Sequence, residues 1–249
     1  MPTLSIITVC RNEAACIRKT AESVAGQSCQ DFEWIVQDGG STDGTLDILG
    51  EYRTRMARFR SGPDDGIYDA MNMAAALATG SYLLFLNGGD ALADSQVVGD
   101  MLSYGSPEGN DILVGDCLCL WRDGRPPRRK SHAWLDMHSL YRWAINHQSA
   151  FIGRDVFARF GPYDTSFRIA GDRDFFVRAM LGGAVFRSIP RLVAEYDMEG
   201  MSARSKHDHS MQLELKRIRR RYTLGYRIRR MLNDAYVSFR KHHCNVAST

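Results

Sequence analysis

The sequence predicts an α/β fold: a mostly parallel sheet with helices on both faces and a helical appendage at the C-terminus. Three observations carry that prediction. A strand, loop, helix cycle recurs from Leu4 to Leu86; the strands in it are continuous apolar runs; and the polar clusters fall at the strands' carboxyl ends. Continuous apolar strands alternating with helices are what a parallel sheet buried on both faces requires, and ligands of such sheets bind beyond the carboxyl ends of the strands.

The first strand is Leu4 to Val9 (LSIITV), followed by a polar break at Arg11-Asn12-Glu13 and a helical stretch to about Gly26. Phe32 to Val36 (FEWIV) begins the second cycle, with a Gly- and Asp-rich loop from Asp38 to Gly44 and a helix over Thr45 to Arg55. A weak strand, Arg58 to Ser61, precedes Asp64 and Asp65 and the helix Ile67 to Ala78, which Gly80 closes before the strand Tyr82 to Leu86 (YLLFL). Beyond it the pattern is less regular: a strand over Asp111 to Leu118, a basic Pro-containing turn at Arg122 to Lys130, a strand at Ser149 to Ile152, a helix over Asp172 to Leu181, and two helical stretches, Ser210 to Tyr222 and Tyr226 to Phe239. In the last, Ile228, Met231, Leu232, Ala235, Tyr236 and Phe239 share one face.

A chain of 249 residues, 44% hydrophobic and 24% charged, can bury a full core. The expected division is a main domain over residues 1–203, with its halves at about 1–95 and 96–203, and a tail over 204–249. The net charge of +3 hides an asymmetry: from Arg204 onward 12 Lys and Arg face 3 Asp and Glu, whereas the rest is acidic. A basic tail on an acidic body points to an anionic partner, which leaves a membrane surface, a nucleic acid and a phosphorylated substrate open. No run approaches the roughly 18 apolar residues of a membrane span, and the first strand follows the N-terminus without a signal-like core, so a cytoplasmic protein is expected. Six cysteines without CxxC spacing are read as reduced structural thiols.

Asp38-Gly39-Gly40-Ser41-Thr42-Asp43-Gly44-Thr45 places a carboxylate and free backbone amides at the crevice, suited to a base imide or ribose hydroxyl. It also reads as a turn whose Thr42 or Asp43 caps the next helix. Leu86-Asn87-Gly88-Gly89-Asp90 ends a buried strand where a carboxylate can hold Mg²⁺ or Mn²⁺ against a diphosphate, and a plain strand-to-loop turn competes with that reading. Asp172 and Asp174 start a helix, where one of them is expected to act as N-cap and Asp172 as a general base. His147-Gln148, ahead of the apolar Ala150-Phe151-Ile152, suits a phosphate or sugar contact or a structural role.

The order of these pieces is more informative than any one of them. ITVCRNE, DGGSTDGT, PDDGIYDAMN, LATGSYLLFLNGGD, HQSAFIGRDVF and AGDRDFFVR together resemble the family 2 glycosyltransferases with the GT-A fold, over about Leu4 to Arg178. The resemblance implies an inverting, hexosyltransferase-type enzyme that moves a sugar from a nucleoside-diphosphate sugar, a UDP-sugar by family habit, to a hydroxyl acceptor in cell-surface polysaccharide or glycoconjugate assembly. It implies Thr8, Arg11, Asn12 and Glu13 around the nucleotide, Asp38 on its base, and Asp64, Gly66, Asp69 and Asn72 in the donor pocket. It further implies Asp90, with Asn87, at a divalent metal, Asp172 as catalytic base, and His147 and Gln148 where the acceptor meets the diphosphate. Gly39 stands where many relatives have a second Asp, Asn87 and Gly89 replace acidic positions of the metal motif, and Gly171 replaces a Glu before the base.

A nucleotide-dependent oxidoreductase is excluded because Cys10-Arg11-Asn12-Glu13 replaces the GxGxxG turn that it needs after the first strand. A degenerate, non-catalytic protein that binds a nucleotide sugar, a membrane or a nucleic acid stays as the alternative. The tail suits a membrane surface and a lipid-linked acceptor better than a nucleic acid, since its apolar face carries Tyr236 and Phe239 between arginines. An amphipathic helix packed on the domain with its basic side exposed is the competing reading.

Overall fold

The fold was analysed in a computed structural model that describes residues 3–244 except 107, 133–134, 136–144 and 199–208. Strand β1 (Leu4–Cys10) is buried at every position, which is why it reads as an unbroken apolar run. It pairs in parallel with β2 (Phe32–Asp38), β2 pairs in parallel with β3 (Arg58–Ser61), and on its other side β1 pairs in parallel with β4 (Tyr82–Phe85). The crossovers are α1 (Ile17–Ala25), α2 (Thr45–Gly50) and α3 (Ile67–Ala75). Helix α2 is shorter than the periodicity predicts: it stops at Gly50, and a separate 3-10 turn at Arg53–Arg55 leads into β3.

Strand alternation sorts β1 between two cores. Leu4 and Ile6 face Ile17, Ala21 and Val24 of α1; Ile7 and Val9 face Met71 and Ala74 of α3. Each fully buried Ile or Leu contributes roughly 1.5–3 kcal/mol, so the two cores hold β1 at the centre of the sheet.

The second half consists of β5 (Ala91–Leu92), α4 (Val97–Leu102), β6 (Asp111–Leu120), β7 (Arg128–Lys130), a 3-10 turn at His147–Ser149, β8 (Ala150–Gly153), α5 (Arg154–Phe160), α6 (Gly171–Leu181) and β9 (Val185–Asp197). The strand order is β3-β2-β1-β4-β8-β6-β9-β5, with β7 on β6. Parallel pairing is confined on the first side to β1 through β4; β8 lies antiparallel to both β4 and β6, and β9 runs parallel to β6. The result is a mixed sheet in which β8 joins the two halves. Strand β9 escapes the sequence patterns because Arg187, Pro190 and Arg191 interrupt its apolar positions.

The last helix, α7 (His209–Cys244), is continuous where the sequence predicts two; Gly225 does not break it. Its first turns dock on the body: Ile218 is 2% exposed, and Leu215 and Tyr222 pack beside it against the core that contains Phe176 and Val177 of α6. Side chains of α7 beyond Ile228 lie outside the described residues apart from Met231, so Tyr236 and Phe239 are not placed. Residues 200–208 also lie outside the described residues.

Gly80 turns the chain from α3 into β4, and its N–H donates to Ser5 Oγ at 2.9 Å. A Cβ there would sit 2.7 Å from the backbone of Leu4 and Ser5. Gly80→Ala is expected to cost about 1–3 kcal/mol by overpacking, read as a fall in the urea midpoint with little change in slope.

Candidate active site

The carboxyl ends of β1, β2 and β4 deliver three loops to one crevice. Asn12 adopts a left-handed backbone (φ 55°), a conformation that Asn tolerates better than most residues. This turn is laced to the loop after β2: Asn12 N–H donates to Ser41 Oγ (2.7 Å), Thr42 N–H to Asn12 Oδ1 (2.9 Å), Glu13 N–H to Thr45 Oγ1 (2.8 Å) and Ala14 N–H to Asp43 Oδ2 (3.1 Å). Arg11 and Asn12 are exposed at the rim, and Glu13 is half-buried.

Asp38 is fully buried, and its carboxylate accepts from the N–H groups of Gly40 and Ser41 and from the hydroxyls of Ser41 and Ser61. Burial pushes this carboxyl up, but the hydrogen bonds from Ser41, Ser61 and Gly40 prevail and hold it below the usual carboxylate range. The side chain therefore organises the loop, with both oxygens engaged. Thr8 is also buried, its hydroxyl accepting from Trp34 Nε1 at 3.0 Å. Asn72 bonds through both ends of its amide to the backbone of Tyr163, at 2.9 Å each way. The polar groups of Thr8, Asp38 and Asn72 thus serve the framework behind the crevice. Asp64, Gly66 and Asp69 lie at its wall, where Gly66 N–H donates to Asp64 Oδ1 (3.0 Å) and Asp65 N–H to Asp69 Oδ2 (3.1 Å). Gly39 has a steric reason: a Cβ there would lie 2.6 Å from Asp64 Oδ2 and 3.3 Å from the Arg11 side chain. Asp64 thus occupies the space of the side chain that position 39 lacks.

The turn after β4 is held from below by Thr20, whose hydroxyl accepts from Gly89 N–H (3.0 Å) and donates to Asp90 O (2.6 Å). Asp90 is 4% exposed. Its Oδ1 accepts from Asp197 N–H (3.1 Å) and its Oδ2 from Gln148 Nε2 (2.9 Å). Burial nevertheless pushes the carboxyl up to about 6, against the lowering effect of Gln148 and His147.

Asp172 sits in the first turn of α6 with its side chain 17% exposed, facing the crevice. His147 Nδ1 lies 3.2 Å from Asp172 Oδ2, and His147 Nε2 lies 3.1 Å from Asn87 Nδ2. The two ring nitrogens of His147 thus bridge the Asn87 amide and the Asp172 carboxylate. Tyr68 Oη is 3.2 Å from Asp172 Oδ1 and 2.8 Å from the Ile169 carbonyl, and burial pushes its phenol well above the usual range, so it stays a donor. One 3-10 turn therefore reaches two carboxylates: His147 holds Asp172 and Gln148 holds Asp90. At 8% and 3% exposure, His147 and Gln148 contact the protein's own acids in this structure.

The N-cap expectation for Asp172 or Asp174 is not met. Ala170 is the N-cap, with no side-chain cap, and Asp174 is wholly buried, accepting from Tyr222 Oη at 2.9 Å and paired with Arg221 and Arg178. Tyr68 lies inside the PDDGIYDAMN motif but carried no signal of its own, and Asp197 and Gln148 reach Asp90 only through the fold.

Among the described residues, no group of three His, Cys, Asp or Glu is placed to hold a metal ion. A hard divalent cation needs oxygen ligands and is often held by one or two protein groups plus phosphate oxygens. Asn87 Oδ1 is buried without a hydrogen-bond partner, and each Asp90 oxygen accepts one bond where it has room for two. Those oxygens fit such a cation. No helix among the described residues is long and apolar enough to cross a membrane, and Cys10, Cys16, Cys29, Cys117 and Cys119 are free thiols.

A family model described as Glycosyl transferase family 2 matches residues 5–167. A PGL/p-HBAD biosynthesis glycosyltransferase of Mycobacterium tuberculosis is 33% identical over 236 residues, covering 91% of this chain and 88% of its own. Among solved structures, S. aureus TarS in complex with UDP-GlcNAc superposes with a TM-score of 0.68 at 19% identity, over 83% of this chain and 62% of that one. The mannosyltransferase PcManGT of Pyrobaculum calidifontis, in complex with GDP-Man and Mn²⁺, gives 0.60 at 19% identity, over 82% of this chain and 59% of that one. The sheet and its flanking helices are thus of the GT-A type.

The raised Asp90 carboxyl has a stability consequence. A carboxyl near 6 in the fold and near 3.8 in the unfolded chain binds its proton more tightly when folded, so its contribution is favourable at low pH and is lost as pH rises through 6. In chelator-containing buffer the melting temperature of Asp90→Asn, relative to wild type, is expected to rise between pH 5 and 7, by an amount worth about 1–3 kcal/mol. A difference independent of pH would contradict this.

Proposed function

The chain belongs to glycosyl transferase family 2, and on that premise we propose that it moves a sugar from a nucleoside-diphosphate sugar, a UDP-sugar in the first instance, to a hydroxyl acceptor with inversion at the anomeric carbon. The observation that carries the reading is the pairing of Asp172 and Asp90 through His147-Gln148. A partly buried base, 17% exposed, and the buried oxygens of Asp90 and Asn87 stand on two sides of one turn, as a displacement between acceptor and leaving group requires.

In this scheme the Asp172 carboxylate takes the proton of the acceptor hydroxyl as that oxygen bonds to the anomeric carbon, and the nucleoside diphosphate leaves with the electron pair of the broken bond. His147 Nδ1 and the Tyr68 hydroxyl orient the carboxylate for that transfer. Arg11, Asn12, Glu13, Asp64, Gly66 and Asp69 line the donor side, with Thr8, Asp38 and Asn72 shaping it from behind. Asp90 and Asn87 would hold Mg²⁺ or Mn²⁺, which supplies positive charge against the leaving diphosphate when bound.

The relative named for PGL/p-HBAD biosynthesis supports glycoconjugate assembly as the setting, with a sugar or lipid-linked sugar as acceptor. A peripheral position of α7 at the cytoplasmic face of a membrane is supported by the exposed apolar side chains of Leu224, Ile228 and Met231, at 71%, 51% and 72% exposure, beside Arg227. Nucleic acid is not an expected partner. The degenerate-binder alternative loses ground because the candidate base is fixed by the Arg173 N–H at 2.8 Å and by His147 at 3.2 Å.

Asp172→Asn is expected to lower transfer or donor hydrolysis by roughly 10²–10⁴-fold while thermal shifts with UDP-GlcNAc, GDP-mannose or whichever nucleotide sugar binds the wild type are retained. Unimpaired turnover would remove Asp172 as the base, and no turnover by the wild type with any donor and Mn²⁺ would favour the binder. For α7, flotation of the full chain with anionic but not neutral liposomes is expected, weakened by Ile228→Asp; equal flotation of the variant would separate membrane binding from these side chains.

A further inference from the structure

Helix α6 carries Asp172, yet its own start has no side-chain cap. Immediately before it, three successive backbone N–H groups converge on one carboxylate from a distant part of the chain. Arg168 N–H donates to Glu214 Oε1 at 2.8 Å, and the N–H groups of Ile169 and Ala170 donate to Oε2 at 3.1 and 2.9 Å. The three N–H groups lead into the N-terminus of α6, with Ala170 as its N-cap, and a carboxylate at the positive end of a helix is favoured.

Both backbone polar groups of Ile169 are consequently held. Its N–H is bound by Glu214 and its carbonyl by the hydroxyl of Tyr68, the same hydroxyl that lies 3.2 Å from Asp172 Oδ1. Gly171 leaves no room for an acid of its own at this turn, because a Cβ there would meet the Tyr68 ring at 2.8 Å. The helix that brings Glu214 is firmly seated: Ile218 is buried, Arg221 pairs with Asp164 at 2.9 Å, and Tyr222 donates to the buried Asp174 at 2.9 Å.

We propose that Glu214 of α7 is a positioning residue for the transfer reaction: it locks the 168–170 turn and thereby sets Asp172 against His147 and Tyr68. The inference rests on the transfer reading given above. It makes the first turns of the basic C-terminal helix part of the catalytic apparatus, whatever its later turns contact.

The test uses the full chain with Glu214→Ala and Glu214→Gln, followed by amide hydrogen exchange and by steady-state turnover of the donor that the wild type accepts. In Glu214→Ala, exchange at residues 168–172 is expected to accelerate at least about tenfold while β1 and β4 stay protected. Turnover number is expected to fall by about tenfold or more, with donor KM within about twofold of wild type. Glu214→Gln, which keeps one carbonyl acceptor, is expected to recover part of both losses, and it decides the matter on the same readouts if the alanine variant does not fold. Unchanged exchange at 168–172, or faster exchange with turnover within about twofold, overturns the role. A parallel loss of turnover, donor affinity and β1 protection also overturns it, since that is general destabilisation. A wild-type chain that turns over no donor overturns the transfer reading and this role with it, whereas unchanged exchange in an active enzyme overturns the role alone.

Discussion

The site depends on one short 3-10 turn, His147 to Ser149, lodged where β8 crosses from the parallel half of the sheet to the mixed half. Two adjacent side chains leave it in different directions, His147 to Asp172 and Gln148 to Asp90. Because β8 pairs with both β4 and β6, this turn cannot move without disturbing the central ladder. The separation of the two acids is therefore a property of the sheet, and no flexible loop sets it.

The buried acids show opposite solutions to the same electrostatic problem. Asp38 is surrounded by donors, and its charge is stabilised in place. Asp90 accepts only two hydrogen bonds, and desolvation pushes its carboxyl up to about 6. A fully satisfied carboxylate makes a rigid loop; an under-satisfied one next to the partnerless Asn87 oxygen leaves capacity for an external positive charge. The difference lies in the surrounding hydrogen bonds and not in residue type.

The arginine-rich tail divides in the same way. Arg217 and Arg221 are committed to Ser166, Asp164 and Asp174 on the body, so part of the charge excess seen in composition is neutralised within the fold. Further along, Leu224, Ile228 and Met231 are exposed. A single continuous helix thus serves the domain along its first turns and presents apolar surface further on.

The strand and helix cycle from Leu4 to Leu86 and the positions of Asp90 after a strand and of Asp172 at a helix start were legible in the sequence. They depend on local periodicity and on short motifs whose spacing a strand-to-loop turn imposes. Strand β9, the crossing by β8, and the partners of each acid were not. Tyr68, Gln148, Asp197 and Glu214 act on groups far away in the chain, and a lone Tyr or Glu carries no periodic signal. The sequence by itself determined which elements form and which chemistry they carry to the crevice. Only the tertiary structure decided which acids are satisfied and which are poised, because that is settled by hydrogen-bond donors and desolvation arriving from other elements.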